Sequence, residues 1–409
     1  MNFQIDAFGT IVIAVLVLYV GRFLLQHIGM LRNYNIPEPV AGGLVAALIA
    51  FILFRYFGIS ASFDASIQNA LMLMFFTSIG LSASFGKLKK GGMSLLIFLL
   101  CVTGYVLVQN AVGMSLASVL GLDPIVGLIT GSITLTGGHG TAGAWGSILE
   151  QDYGIQGAVV LGMASATFGL IIGGIVGGPV AKFLIRRYQL AEPSKDNDDD
   201  NDNDSNLPEA DVASFEYSRK TRLITSGNAI TTLGMFAACI YAANLLTRWS
   251  EGQWFELPTF VWALGSGVLL RNMVESVFKQ RIFDRAIDVF GNASLSLYLA
   301  MALLSLQLWL LADLAGPLVI ILLAQTLILI LYTAFVTFRV MGKDYDAAVL
   351  AAGHCGFGMG ATPTAIANIQ AVTNMYGTSH KAFLIIPLCG AFFIDIINAV
   401  VIQTILKFF

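Results

Sequence analysis

TGSITLTGGHGTAGAW (130–145) and LAAGHCGFGMGATPTA (350–365) are two versions of one passage, their central Gly-His pairs (Gly138-His139 and Gly353-His354) standing 215 residues apart. Both are dense in glycine and small residues, both interrupt apolar runs, and together they hold two of the chain's four histidines. Glycine-broken hydrophobic segments at corresponding positions of two halves are the sequence sign of a transporter built from repeats, with its site where the broken segments meet.

Composition agrees. Of 409 residues 56% are hydrophobic and 11% charged, with a mean hydropathy of +0.78, whereas soluble domains carry about 25% charged residues. The chain reads as a polytopic membrane protein of all-α class. The net charge of −3 is set by residues 191–218, which hold ten acids and one lysine; outside them stand 21 basic and 15 acidic residues, a balance of +6. The basic residues sit singly at segment ends and form no patch, so nucleic acid is not a partner. Cys101, Cys239, Cys355 and Cys389 lie within apolar segments without metal-ligand spacing and read as small core residues. The first apolar run follows Asp6 and lacks a basic n-region, so it reads as a retained span.

Hydrophobic stretches fall at 8–27, 36–54, 67–86, 92–118, 125–149 and 156–185, then at 222–247, 257–274, 290–312, 317–338, 345–370 and 381–406. That is six in each half at about 20 residues per span. Asn69-Ala70-Leu71 and Asn292-Ala293-Ser294-Leu295 open the third and ninth stretches, and Ala166-Thr167-Phe168 matches Ala391-Phe392-Phe393. Several matches at similar offsets indicate an internal duplication.

Charge placement decides the topology. If 125–149 and 345–370 each enter and leave by the same face, nearly all cations fall on one side: Arg22, Arg32, Lys87–Lys90, Lys182–Arg187, Arg219–Arg222, Arg271–Arg285, Arg339, Lys343 and Lys381. The other side receives Asp64, Asp123, Glu150, Asp152, Glu251, Glu256 and Asp313, with Arg55, Arg248 and Lys407 against the trend. The positive-inside rule favours this version: ten spans, both termini outside and a cytoplasmic central loop. Five spans per half is odd, so the halves are inverted. The expected domains are a membrane repeat at 1–190 with re-entrant hairpin 125–149, an acidic disordered linker at 191–218, and a second repeat at 219–409 with hairpin 345–370. The aspartate run Asp196–Asp204 lacks the glycine and distal glutamate of a calcium loop.

Non-helical backbone at membrane depth is tolerated where it is buried in protein or lines a watery cavity. Free N–H groups and a half-helix N-terminus at such a tip receive a carboxylate, and free carbonyls coordinate sodium. The candidate substrate site is therefore the pair of tips: Thr136, Gly137, Gly138, His139, Gly140 and Thr141 in the first, and Gly353, Gly356, Gly358, Gly360 and Thr362 within Gly353–Pro363 in the second. Gly173xxxGly177 and Gly174xxxGly178 read as small-residue helix interfaces. Gly356-x-Gly358-x-Gly360 lacks the strand context of a dinucleotide loop. Asp395, deep in the last stretch, is an intramembrane acid and a functional candidate. With Asn398 one turn on, and carbonyls of the second tip such as those of Gly353 and Gly356, it suits a sodium site; a substrate ammonium is the other reading. His139 and His354 read as shaping the tips, and Glu38 between Pro37 and Pro39 reads as a helix start.

At IPEPVAGG (36–43), GSITLTGGHGT (131–141), AAGHCGFGMGATPTAIANIQA (351–371) and GAFFIDIINAVVI (390–402) the chain resembles the bacterial sodium/glutamate symporters along its whole length, the acidic linker apart. That linker is longer and richer in aspartate than the family leads one to expect. The resemblance implies a multi-pass inner-membrane secondary transporter with L-glutamate and sodium as partners, sodium as coupling ion and no other cofactor. It further implies two inverted five-span halves, a homodimer in the lipid bilayer and elevator-like alternating access. A carrier of another di- or hydroxycarboxylate, or a channel, is the competing class. An enzyme would need convergent catalytic groups, and the candidates here are scattered singly.

The topology has a direct check. A single cysteine placed at Ser205 should react with an impermeant maleimide only from the cytoplasmic side, and one near either terminus only from the opposite side. Termini on opposite faces would overturn the inverted arrangement.

Overall fold

A computed structural model describes residues 2–33, 36–58, 60–64, 66–190, 224–253, 256–277, 279, 282–304 and 315–409. The acidic linker and the end of the ninth stretch lie outside the described residues. The first half runs α1 (Ala7–His27), α2 (Gly29–Asn33), α3 (Glu38–Phe57), α4 (Ser66–Ser82), α5 (Phe85–Val119), α6 (Pro124–Leu128), α7 (Gly138–Gln151) and α8 (Ala158–Tyr188). The second runs α9 (Ser226–Ser250), α10 (Thr259–Ser276), α11 (Asp284–Leu304), α12 (Ala315–Tyr332), α13 (Phe338–Val340), α14 (Tyr345–Gly358), α15 (Thr362–Tyr376), α16 (His380–Leu388) and α17 (Ile394–Leu406). Wider π-helical turns at Ile129–Ile133, Thr333–Thr337 and Cys389–Phe393 lead into or out of these helices.

The helices begin where the sequence supplies a cap. The side chains of Asp6, Asp123, Thr225, Asp344 and Ser379 accept from first-turn amides at 2.7–3.2 Å, satisfying donors that helix starts leave unpaired. Among the described residues seven helices are long and apolar enough to cross a membrane, while Ser66–Ser82 and Ile394–Leu406 are shorter apolar helices. A 21-residue helix such as α1 is about 30 Å long, the thickness of a bilayer's hydrocarbon core. The stretch at 125–149 is instead a helix–turn–helix. Its arms, ten residues from Pro124 to Ile133 and fourteen from Gly138 to Gln151, reach only about 15 and 21 Å. The stretch at 345–370 has the same form in α14 and α15.

The helical class holds with one addition, and one packing reading is corrected. First, strands β1 (Asn2–Ile5) and β2 (Ser60–Phe63) pair in parallel. They flank the start of α1 and the end of α3, which pack side by side, so extended segments at the same end of the pair satisfy each other's amides. Second, Gly173 and Gly177 do lie at a tight interface, but Gly178 meets nothing and a Cβ on Gly174 would only graze Thr364. That second glycine pair is no helix interface among the described residues.

Packing sorts the elements into two groups that each draw on both halves. α1, α3 and α4 pack with α9, α10 and α11. α5–α8 pack with α12 and α14–α17, with α8 against both α14 and α15. Glycines bring backbones into contact where helices cross. A Cβ on Gly42 would stand 2.0 Å from the Val17 carbonyl oxygen, and one on Gly127 2.2 Å from that of Gly113. In lipid, where tails are as apolar as leucine, such close packing is what holds helices together.

The chain passes from the first group to the second at 82–85, and a polar cluster holds this passage. Arg271, 3% exposed, donates to the Leu81 carbonyl and pairs with Glu275 at 2.6 Å and with Asp284. Ser84 donates to Glu275 at 2.6 Å, Phe85 N–H donates to Asn272, and Asn272 donates to the Ala83 carbonyl.

Gly42→Val should lower stability by about 1–3 kcal/mol, the usual cost of overpacking. Thermal unfolding of the purified protein in detergent reads it out as a lower midpoint than for Leu44→Val, whose parent residue is exposed on the same helix.

Candidate functional site

Both turns are breaks in otherwise helical chain, and polar side chains take up the backbone groups the breaks release. In the first, Gly131 leaves helical geometry (φ −102°, ψ −128°). The next residue is held from two sides: Ser132 N–H donates to Asn110 Oδ1 at 2.9 Å, and Asn398 Nδ2 donates to the Ser132 carbonyl at 2.8 Å. The chain turns through Thr134–Gly137 and restarts as α7 at Gly138, whose φ of +69° is a region side chains rarely adopt. In the second, α14 ends at Gly358, the chain turns through Met359–Ala361, and α15 starts at Thr362-Pro363.

The two turns face each other. Gln109, fully buried on α5, joins them: its Nε2 donates to the Gly358 carbonyl at 3.1 Å, and its Oε1 accepts from Thr136 Oγ1 at 2.7 Å. A Cβ on Gly138 would lie 3.5 Å from the Gly360 carbonyl oxygen. Gln325 on α12 donates to the Gln109 carbonyl at 2.8 Å, and Asn368 on α15 donates to the carbonyls of Gly173 and Ala352. Thr362 Oγ1 donates to the Gly390 carbonyl at 2.6 Å, tying the second turn to the π-helical segment before Asp395. Gly137, Gly138, Ala361 and Thr362 are half-buried and Pro363 is exposed, so the meeting point is accessible. The N-termini of α7 and α15 both open there, presenting the positive ends of two helix dipoles.

Four buried polar atoms around the first turn have no partner among the described residues: Ser132 Oγ, Thr134 Oγ1, Asn398 Oδ1 and Asn110 Nδ2. Buried polar atoms are normally paired, so such a cluster calls for a ligand, ion or water. Three are oxygens, the ligand type hard cations take.

The expected site residues divide. Thr136, Gly137, Gly138, Gly358, Gly360 and Thr362 come together at the two turns. His139 bonds Thr167 Oγ1 at 3.0 Å, Thr141 bonds the Gly137 carbonyl, and Gly140 packs on Phe75. His354 lies in the core with Thr337 at 2.9 Å and Phe357 stacked on it. The turn in the second passage is shorter than Gly353–Pro363. Gly353 and Gly356 sit inside α14 with Ile386 and Ala365 packed on them, where the helix occupies their backbone. Asn398 reaches Ser132 of the first turn and not the second. Asp395, half-buried one turn before it, has no hydrogen bond or ion pair among the described residues. Glu38 stands in the first turn of α3 and pairs with Arg22 at 3.1 Å.

Sequence reading passed over Gln109, Asn110, Gln325, Asn368 and Ser132. The signal was present: an amide pair in the middle of 92–118 and a lone glutamine in 317–338 are polar groups at membrane depth.

The profile of the family described as Sodium/glutamate symporter matches residues 3–378. Over 401 residues the chain is 49% identical to the sodium/glutamate symporter of Escherichia coli (strain K12), covering 98% of this chain and 97% of that protein; the Shigella flexneri protein of the same name matches equally. The Haemophilus influenzae sodium/glutamate symporter is 46% identical over 403 residues, 98% of each chain. The chain belongs to the sodium/glutamate symporter family. Members of this family are named as transporters and not as enzymes, and the paired turns are built accordingly. They supply positioned donors and acceptors.

Gln109→Leu should cost about 1–3 kcal/mol, because the Gly358 carbonyl and the Thr136 hydroxyl then lose their partner. Thermal unfolding in detergent measures the loss. Leu107→Ala, an exposed position two residues away, should change the midpoint far less.

Proposed function

We propose that this chain is a sodium-coupled L-glutamate symporter of the bacterial inner membrane, working by alternating access. The observation that carries the reading is the meeting of the two turns through Gln109, with the α7 and α15 N-termini opening on it, in a family whose named members are sodium/glutamate symporters. Glutamate has two carboxylates, and each helix N-terminus is a ready receiver for one. In this reading the halves 1–190 and 219–409 are inverted repeats, 125–149 and 345–370 are re-entrant hairpins, and both termini lie outside. The short hairpin arms support the re-entrant placement, since neither arm is long enough to cross.

The division into two packed groups supports an elevator-like motion. α1, α3, α4 and α9–α11 form a fixed frame, and a homodimer would anchor it. The hairpins with α5, α8, α12, α16 and α17 carry the substrate. The passage at 82–85, bound to Arg271 and Asn272, is then the joint between frame and carrier.

Sodium is held at the first turn. Asn398 Oδ1, Ser132 Oγ and Thr134 Oγ1 supply oxygens that otherwise lack partners, and carbonyls released at the Gly131 break add more. Asp395, a carboxylate without a protein counter-charge, supplies the charge that makes ion entry favourable.

Proteoliposomes holding the purified protein should concentrate labelled L-glutamate when sodium is outside and stop when the sodium gradient is collapsed. Sodium-independent equilibration would overturn coupling, and preference for a hydroxycarboxylate would reassign the substrate. Gly138→Leu should abolish uptake at near-normal expression, because a side chain at positive φ on the turn closes the crevice; parent-like uptake would remove the turn from the site. Asn398→Leu and Asp395→Asn should each raise the sodium concentration for half-maximal uptake by about tenfold or more, as loss of a charged or buried ligand implies. If Asp395→Asn binds sodium as the parent does without glutamate present, yet binds glutamate poorly, the carboxylate belongs to the substrate ammonium instead.

A further inference from the structure

On the outer face of the molecule, away from the turns, α8 and α12 diverge to leave an open groove of about 470 Å³. Its walls are Ile175, Pro179 and Phe183 from α8, and Leu331, Ala334 and Phe335 from α12 and its π-helical continuation. The groove surface is apolar, and its volume is in the range of ligand sites, about 300–1,000 Å³. The opposite side of α8 is committed elsewhere, with Gly169 and Gly173 against the carbonyls of the second hairpin. The groove is therefore a second feature, separate from the substrate crevice.

What stands at its mouth identifies the occupant. The ends of the two helices meet where the rings of Tyr188 and Phe338 lie in a tilted contact, 5.1 Å between centroids. Toward the same ends of the helices stand Lys182, Arg186 and Arg187 on α8, with Arg339 and Lys343 just beyond α12. All five are exposed, and none has an ion pair among the described residues. α8 carries no acid, nor does 315–343; the first acid, Asp344, caps α14 through the Ala347 amide. Arg339 lies over the Phe335 ring, 5.6 Å from its centroid, so a wall of the groove holds a cation at its rim. Positive-inside counting puts this end on the cytoplasmic face, where anionic lipids attract juxtamembrane cations.

We propose that the α8–α12 groove is a binding site for one anionic phospholipid. An acyl chain fills the apolar channel, and the headgroup phosphate sits among Lys182, Arg186, Arg187, Arg339 and Lys343. An apolar channel by itself accepts any lipid; five cations without an ion pair among the described residues, on helices that carry no acid, select the negative one. The site is independent of the transported substrate.

The test uses the full chain purified in neutral detergent with added dioleoyl phosphatidylglycerol or dioleoyl phosphatidylcholine, with retained lipid read by native mass spectrometry. The parent should retain phosphatidylglycerol roughly tenfold or more over phosphatidylcholine, since each basic residue near an anionic headgroup strengthens binding several-fold. Arg186→Gln/Arg187→Gln/Arg339→Gln changes only exposed side chains and should abolish that preference while leaving the unfolding midpoint in detergent alone unchanged. Ile175→Trp, which fills the groove from an exposed position, should lose the retained lipid with the cations intact. Equal retention of both lipids by the parent would overturn the proposal. So would unchanged phosphatidylglycerol retention in the triple variant, or retention by the parent that rises from background only after residues 191–218 are deleted. The last result would assign the cations to the chain's own acidic segment.

Discussion

A backbone that leaves its helix where water is scarce must find other partners for its amides and carbonyls, and the centre of this protein is organised by that demand. Side-chain amides from other elements meet both breaks and the helices packed around them. Asn110 and Asn398 hold the two sides of Ser132, Gln109 spans from Thr136 to Gly358, and Asn368 serves the carbonyls of Gly173 and Ala352. Gln325 satisfies the carbonyl of Gln109 itself. An amide both donates and accepts, so it can bridge two breaks at once without the desolvation cost of a charge.

This network explains why polar side chains recur at the centres of apolar helices. Four buried polar atoms around the first turn stay without a partner among the described residues. The close glycine contacts serve the network. With the backbones of α5 and α6 touching at Gly113 and Gly127, and α8 touching the second turn at Gly169, the amides are near enough to span.

The transfer of the chain between the two packed groups is equally specific. Arg271 is the one buried side chain among the described lysines, arginines, aspartates and glutamates, and its partners come from α4, α10 and α11 together. A buried guanidinium with several acceptors gives directional attachment where apolar packing alone would let helices slide. The exposed Arg22–Glu38 pair on α1 and α3 adds little, being open to solvent screening.

The membrane class, the positions of both glycine-rich turns and the start of α3 at Glu38 were legible in the sequence, because each is a local property. Apolar runs, glycine density and a proline pair do not depend on what lies across the fold. Which glycine turns and which only packs was not legible. Gly353 and Gly356 look like Gly137 and Gly138 in sequence, yet only their distance from Ile386 and Ala365 shows that they pack within a helix. Nor could the chain alone reveal that Asn398 serves the first turn, that Gln109 joins the two, or that β1 and β2 pair. The physical reason is that the helices are apolar on nearly every face: α1 buries Ala14 and Val17 while exposing Val12, Leu16 and Tyr19. With no amphipathic stripe to mark the inward side, the choice of neighbours rests on close-contact geometry and amide pairing between residues some 200 positions apart, and only the tertiary structure decides those.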